Sequence, residues 1–183
     1  MNAPIRTISR SPVSMDFDRA VNEAMLMLAR EGALFVGQSV AYDGATMYYS
    51  LAGVPQEKRL EMPVIEDFQL GFCIGLSLIG RVPVCIFPRM DFLLLAMNQL
   101  VNHLDRLCEM GDFRPKVIIR TRVGPKKPLN AGPQHTGNYS EAFSLMLRNV
   151  QVVELNHADD VLSCYRDALM RPSSTLVVEN GRV

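Results

Sequence analysis

One carboxylate stands out by its setting. In Glu61-Met-Pro-Val-Ile-Glu-Asp-Phe-Gln-Leu-Gly-Phe72 a short strand signal runs into Pro63. After Glu66 an apolar helix pattern with small residues continues through Gly71, Gly75 and Gly80. Glu66 therefore falls at the mouth of a strand-to-helix turn, where open α/β sheets usually carry their chemistry. Two readings stay open at this level. A carboxyl group set among Val64, Ile65, Phe68 and Phe72 is suited to acid–base work. A carboxylate in a first helical turn also complements the exposed N–H groups and the dipole. Other signals are weaker. His103 and His135 are isolated in the chain, and each reads by default as a hydrogen-bonded structural histidine. Neither GxxxxGK[ST] nor a GxGxxG after a strand is present. Gly111-Asp112 with the distant Asn138 mimics a magnesium–diphosphate pattern only loosely, because Phe113 and Tyr139 hold its remaining positions. Cys73, Cys85, Cys108 and Cys164 form no CxxC and no Cys/His cluster, so neither a zinc site nor a disulfide framework is signalled. A reducing cytoplasm fits that usage.

The elements that must position Glu66 alternate between strand and helix. Asp16 opens a helix with Phe17, Ala20, Val21, Ala24, Met25 and Leu28 at three- and four-residue spacing, and Gly32 closes it. Strands are expected at 33–37, 59–62, 82–87, 116–123, 150–155 and 175–178, with helices at 67–78, 91–110, 139–148 and 159–170. The 91–110 segment is apolar nearly all round its first turns, the pattern of a buried helix. The fold class is thus α/β: one domain over 16–183, its mostly parallel sheet covered by helices on both faces. Residues 1–15 read as a mobile arm without the apolar core of a secretory signal. Loops that follow strands (37–47, 63–67, 88–91 and 124–138) are the expected site-bearing segments. Lysine plus arginine equals aspartate plus glutamate at 19 each, so no net field recruits nucleic acid or an anionic membrane. The chain is 48% hydrophobic with 11 methionines, and its apolar helix faces are spaced by glycine, a composition that fits surface buried against another subunit and a well-packed monomer equally. No run reaches the roughly 18 apolar residues of a membrane span.

Several stretches, in order, carry a family resemblance. Pro63-Val-Ile-Glu-Asp-Phe-Gln-Leu-Gly-Phe72 resembles the Pro-Ile-[Ser/Ala]-Glu-x-x-x-x-Gly segment of thiamine-diphosphate enzymes. These are the beta subunits of 2-oxo acid dehydrogenases and the related pyrimidine-binding domain of transketolases. Val36-Gly-Gln-Ser-Val-Ala-Tyr-Asp-Gly44 is similar to the family's Gly-Glu-Asp-Val…Asp-Gly loop. Gly80-Arg-Val-Pro-Val-Cys-Ile-Phe87 is similar to its Gly-x-Arg-Pro-Val strand. Phe92 with Asn98-Gln-Leu-Val-Asn-His103 is similar to its Phe…Asp-Gln-x-x-Asn helix, and Gly132-Pro-Gln-His-Thr136 to its active-site histidine loop. The likeness runs from about residue 17 to Asn180.

What the resemblance implies is specific. The fold is the thiamine-diphosphate-binding fold, and the cofactors are thiamine diphosphate and magnesium. This chain holds the aminopyrimidine half, while an alpha-like partner chain, in a heterotetramer, binds the diphosphate and the metal. Glu66 is the carboxyl that engages the pyrimidine, Phe92 the ring that stacks on it, and Ile65 a neighbour in the cofactor slot. His135 is a catalytic proton shuttle. The substrate is a 2-oxo acid or ketose that is decarboxylated or carboligated. Arg89 reads equally as the contact for its carboxylate or phosphate and as a surface arginine, and His103 is a weaker candidate that also reads as a capping or packing residue. Three departures bear on this. Gln38 stands where the family commonly has Glu, Arg89 replaces a small or apolar residue, and Arg171 occupies an aspartate position of some members' potassium site. Family beta subunits also continue into a C-terminal domain, so a compact decarboxylase or carboligase is favoured over a standard dehydrogenase complex. Two other readings compete: a catalytically silent subunit of such an assembly, and a stand-alone nucleotide-binding protein.

Overall fold

The computed structural model describes residues 16–124 and 131–180. The arm expected at 1–15 lies outside the described residues, as does the middle of the 124–138 loop. Six strands form one sheet: β1 (Leu34–Gly37), β2 (Arg59–Glu61), β3 (Pro83–Phe87), β4 (Ile118–Arg122), β5 (Gln151–Leu155) and β6 (Thr175–Glu179). Their order is β2-β1-β3-β4-β6-β5, and every pairing is parallel. The expected α/β class is therefore met. Parallel sheets need cover on both faces, and the strands show it: β3, β4 and β6 are buried at every residue.

Alternate strand residues serve two cores. Phe35, Val84, Ile86, Ile118, Val153 and Val177 meet α1 (Phe17–Arg30) and α7 (Val161–Met170) on one face. Val36, Cys85, Phe87, Ile119, Val152 and Leu176 meet the other face. There they pack against α3 (Glu66–Leu78), α4 (Met90–Leu93) and α6 (Ser140–Met146). α2 (Thr46–Ser50) follows the loop after β1, and α5 (Leu107–Met110) precedes β4.

The long helix expected over 91–110 is the main departure. It breaks into α4, a 3-10 turn at Leu94–Ala96, a π-helical segment at Asn98–Leu104 and α5. The wide turn closes with Asp105 N–H on the Leu100 carbonyl at 3.0 Å. The fully buried Asp105 carboxylate then accepts the backbone N–H groups of Arg148, Asn149 and Val150 at 2.7–3.1 Å. Winding that an α-helix would keep regular is here adjusted to seat one carboxylate on a distant loop. Nor is the segment buried all round, since Leu94 and Leu95 face solvent.

Under the carboxyl ends of β4 and β6 sits a buried polar cluster on the α1/α7 face. Arg120 pairs with Glu179 at 2.7 Å, Tyr165 donates to the same carboxylate at 2.8 Å, and Arg120 also donates to the Ser50 hydroxyl at 2.8 Å. Arg122 bridges Glu179 and Asp18, tying β4 to the start of α1. Burial pushes the Glu179 carboxyl up, but Arg120, Arg122 and the hydrogen bonds more than offset this and hold it below its ordinary value. Because that value is depressed on folding, the cluster's stabilisation is complete above the ordinary 4.5 and is lost as pH falls through the lower folded value. Replacing Arg120→Met should cost about 3–5 kcal/mol by removing the nearest cation from a buried carboxylate and leaving it only the more distant Arg122 and the Tyr165 hydroxyl. Urea unfolding at pH 7 measures that loss, and in an acid series the stability difference between parent and Arg120→Met should shrink as pH falls below about 4.5.

Candidate active site

The strand order reverses direction at β1, which lies between β2 and β3. In open parallel sheets ligands settle in the crevice outside the carboxyl ends at such a reversal. A cavity of about 310 Å³ occupies that place, lined by Ser39, Gly44, Ala45 and Met47 after β1, Pro88, Arg89 and Phe92 after β3, and His135 after β4.

Local chemistry explains how each wall is held. Arg89, extended, caps α4 and precedes Phe92 by less than one turn. The Phe92 and His135 rings meet edge-on at 5.5 Å between centroids and 90° between planes. Asp91 anchors the segment that carries the histidine, accepting Gly137 N–H at 3.3 Å and the Tyr139 hydroxyl at 3.2 Å. Among the described residues His135 Nδ1 is buried with no hydrogen-bond partner, as is expected of a polar atom that a ligand or a water completes. Arg89 is half-buried. Among the described residues it makes no ion pair, and its one side-chain hydrogen bond goes to its neighbour's carbonyl at Pro88. Burial lowers its pKa and the nearby Arg122 lowers it further, partly offset by Asp91. Such a cation at a cavity wall is set to receive an anion.

Glu66 is the first residue of α3 and is only 5% exposed. Among the described residues its one hydrogen-bond partner is Gln38, whose amide donates to Oε1 at 3.2 Å. Gln69, one turn on and fully buried, donates to the Ile86 carbonyl at 2.9 Å and so fixes the start of α3 against β3. Glu66 does not line the cavity itself; it stands beside it, reached through the β1 loop.

The sequence expectations sort accordingly. Arg89, Phe92 and His135 are brought together in the cavity, and Glu66 adjoins through Gln38. Ile65, just before α3, is 54% exposed, so it lies on the surface beside Glu66. His103 is not brought in: it is exposed on the π-helical segment, with Nδ1 3.2 Å from the Asn98 carbonyl. Unforeseen were Ser39, at a φ of +60° the one non-glycine residue with positive φ among those described, and Glu61, which holds it. The Asp91 anchor was also missed. A local string carries no mark of such long-range hydrogen bonds.

No protein-family profile matches the chain. It is similar to the mitochondrial pyruvate dehydrogenase E1 component subunit beta of Chaetomium thermophilum, 28% identical over 170 residues, covering 88% of this chain and 43% of that protein. The mitochondrial subunit beta of Caenorhabditis elegans is 26% identical over 181 residues, covering 95% of this chain and 51% of that one. Among solved structures, a split-gene transketolase described as an inactive beta4 tetramer superposes with a TM-score of 0.72 at 17% identity, over 93% of this chain and 53% of that chain. The chain thus spans about half the length of the relatives it matches, shares the transketolase fold, and resembles 2-oxo acid dehydrogenase beta subunits as its motifs implied.

Gly124 fixes the histidine wall most tightly: a Cβ there would overlap the His135 carbonyl oxygen and press on Arg89 Nε. Gly124→Ala should move the 132–137 segment, costing about 1–3 kcal/mol. The Phe92–His135 ring-to-ring nuclear Overhauser contact should disappear while contacts between β1 and β3 persist.

Proposed function

We propose that the chain is a beta-like subunit of a thiamine-diphosphate-dependent enzyme that decarboxylates or carboligates a 2-oxo acid or ketose. The observation that carries this is the buried Glu66, placed at the sheet's reversal point beside a cavity walled by Arg89, Phe92 and His135. The residues fit an aminopyrimidine. Among the described residues one buried carboxyl has a single amide partner, one ring flanks the cavity, and one buried imidazole nitrogen lacks a partner. Thiamine diphosphate, when bound, supplies an electron sink for the bond cleaved or formed next to a carbonyl.

The chain's own residues do the rest. Glu66 holds a proton at its carboxyl toward a ring nitrogen of the cofactor, with Gln38 fixing the carboxyl plane. Phe92 offers a π-face for stacking. Arg89 binds the anionic end of the substrate, a carboxylate or a phosphate, in place of the ion pair it lacks here. His135 moves a proton at the reacting carbonyl through its unpartnered Nδ1. Magnesium and the diphosphate fall to an alpha-like partner chain. A surface suited to a partner adjoins Glu66: Val64, Ile65, Phe68 and Phe72 are exposed, Ile79 is 72% exposed, and a Cβ at Gly75 would meet nothing within 4 Å. Exposed apolar area of this kind marks an interaction face. A cytoplasmic setting belongs to the same reading, with four free cysteines in support.

The test uses the chain assembled with an alpha-like partner, thiamine diphosphate and magnesium. In Glu66→Gln the hydrogen–deuterium exchange at cofactor C2 should slow by about 10²–10⁴-fold, the range for a general acid–base group, with binding retained. Exchange at the parental rate would sink the assignment, and a stability loss of about 1 kcal/mol with normal kinetics would return Glu66 to a helix-end role.

Arg89→Ala should raise KM for an anionic substrate and leave cofactor affinity in place. Equal KM values in variant and parent would remove Arg89 from substrate binding.

A further inference from the structure

Glu61 closes β2, an edge strand, one residue before the chain leaves the sheet. Its carboxylate does not face the cavity. It turns instead onto the neighbouring loop, where Oε1 accepts Ser39 N–H at 2.6 Å and Oε2 accepts Val40 and Ala41 N–H, each at 2.8 Å. Three consecutive amides directed at one anion form a nest, a concavity that a free loop would offer to any passing anion. Here it is filled from within the chain.

The clasped loop is the one that matters to the site. Ser39 lines the cavity and stands at φ +60°, a backbone state that a side chain with a Cβ adopts only when its surroundings hold it there. Gln38, the residue before it, donates to Glu66 Oε1. Glu61 also pairs in register with Gly37, so the carboxylate emerges level with the point where β1 turns into the loop. A connected path therefore runs from Glu61 to the backbone of 39–41, to the Gln38 amide, to the Glu66 carboxyl.

We infer that Glu61 is a positioning residue: by filling the 39–41 nest it holds Ser39 in its left-handed state and aims the Gln38 amide at Glu66. This rests on the thiamine reading for what Glu66 does, but not for the clamp itself. Two oxygens acting only as acceptors are required. A side-chain amide keeps one acceptor oxygen but turns an N–H donor toward Ser39 N–H or toward the Val40 and Ala41 N–H pair, so Glu61→Gln is a disruption of nearly unchanged size.

The test compares the full chain with Glu61→Gln, Glu61→Asp and the double variant Glu61→Gln/Ser39→Gly. In Glu61→Gln the amides of 39–41 should exchange with solvent about 10-fold faster or more while those of β1 and β3 keep their protection, since local opening is read separately from global unfolding. The Gln38 side-chain amide should lose its slow exchange in step. Glycine enters the left-handed region without strain, so the double variant should recover much of the Gln38 signal, and Glu61→Asp, which keeps both acceptor oxygens, should keep part of the loop protection. In the assembled enzyme, Glu61→Gln should lower kcat about 10-fold with KM for substrate nearly unchanged. Parental exchange at 39–41 in Glu61→Gln would overturn the clamp. A released loop with parental kcat would overturn the positioning role. A parent assembly that exchanges the C2 hydrogen no faster than free cofactor overturns the thiamine reading and with it the catalytic part of the inference, whereas the amide data report on the clamp regardless.

Discussion

The close approach of β1 to β3 at Gly37 is the constraint on which the carboxyl edge of the sheet depends. Gly37 pairs with Ile86, and a Cβ at this position would overlap the Ile86 carbonyl oxygen and touch its Cβ. With only a hydrogen there, the two strands end side by side, and the chains that leave them diverge on opposite sides of one crevice. Gln69 reinforces the same spot by donating to the Ile86 carbonyl. The cavity walls, the start of α3 and the loop that reaches Glu66 all inherit their places from this contact.

Two carboxylates hold loops in the same way on different parts of the fold. Glu61 takes three successive amides after β1, and Asp105 takes three successive amides before β5. Each satisfies backbone donors that a loop cannot pair within itself, and a charged acceptor makes such bonds stronger than neutral ones. The contrast with Arg120, Glu179 and Tyr165 is one of purpose. That cluster ties strands to helices deep in a core, while the two nests fix chain direction where regular pairing stops.

Much of the fold was legible because parallel strands buried on both faces read as short continuous apolar runs, as Val84 to Phe87 and Leu176 to Val178 do. Glu66 was legible for a related reason: a strand signal, a proline and a helix pattern bracket it. Arg89, Phe92 and His135 were reached through family likeness, and the strand order brings them to one cavity. What was not legible depends on partners far away in the chain. The winding of 94–104 answers to a loop some 43 residues beyond Asp105. Ser39 gives no local hint of its left-handed backbone, because serine has no preference for that region and only Glu61 imposes it.

The open face of α3 has a consequence for a copy of the chain that stands alone. Phe68 and Phe72 lie with ring centroids 6.2 Å apart on that face, next to the uncovered Gly75 and Ile79. A copy with nothing on this patch presents greasy aromatic surface to every other macromolecule it meets. Such orphan copies are drawn toward self-association and toward the chaperones and proteases that survey exposed apolar groups. Abundance would then be set less by how fast the chain is made than by how quickly each new copy finds cover. Under the proposed pairing with an alpha-like chain, matched synthesis of the two follows from one side of a helix.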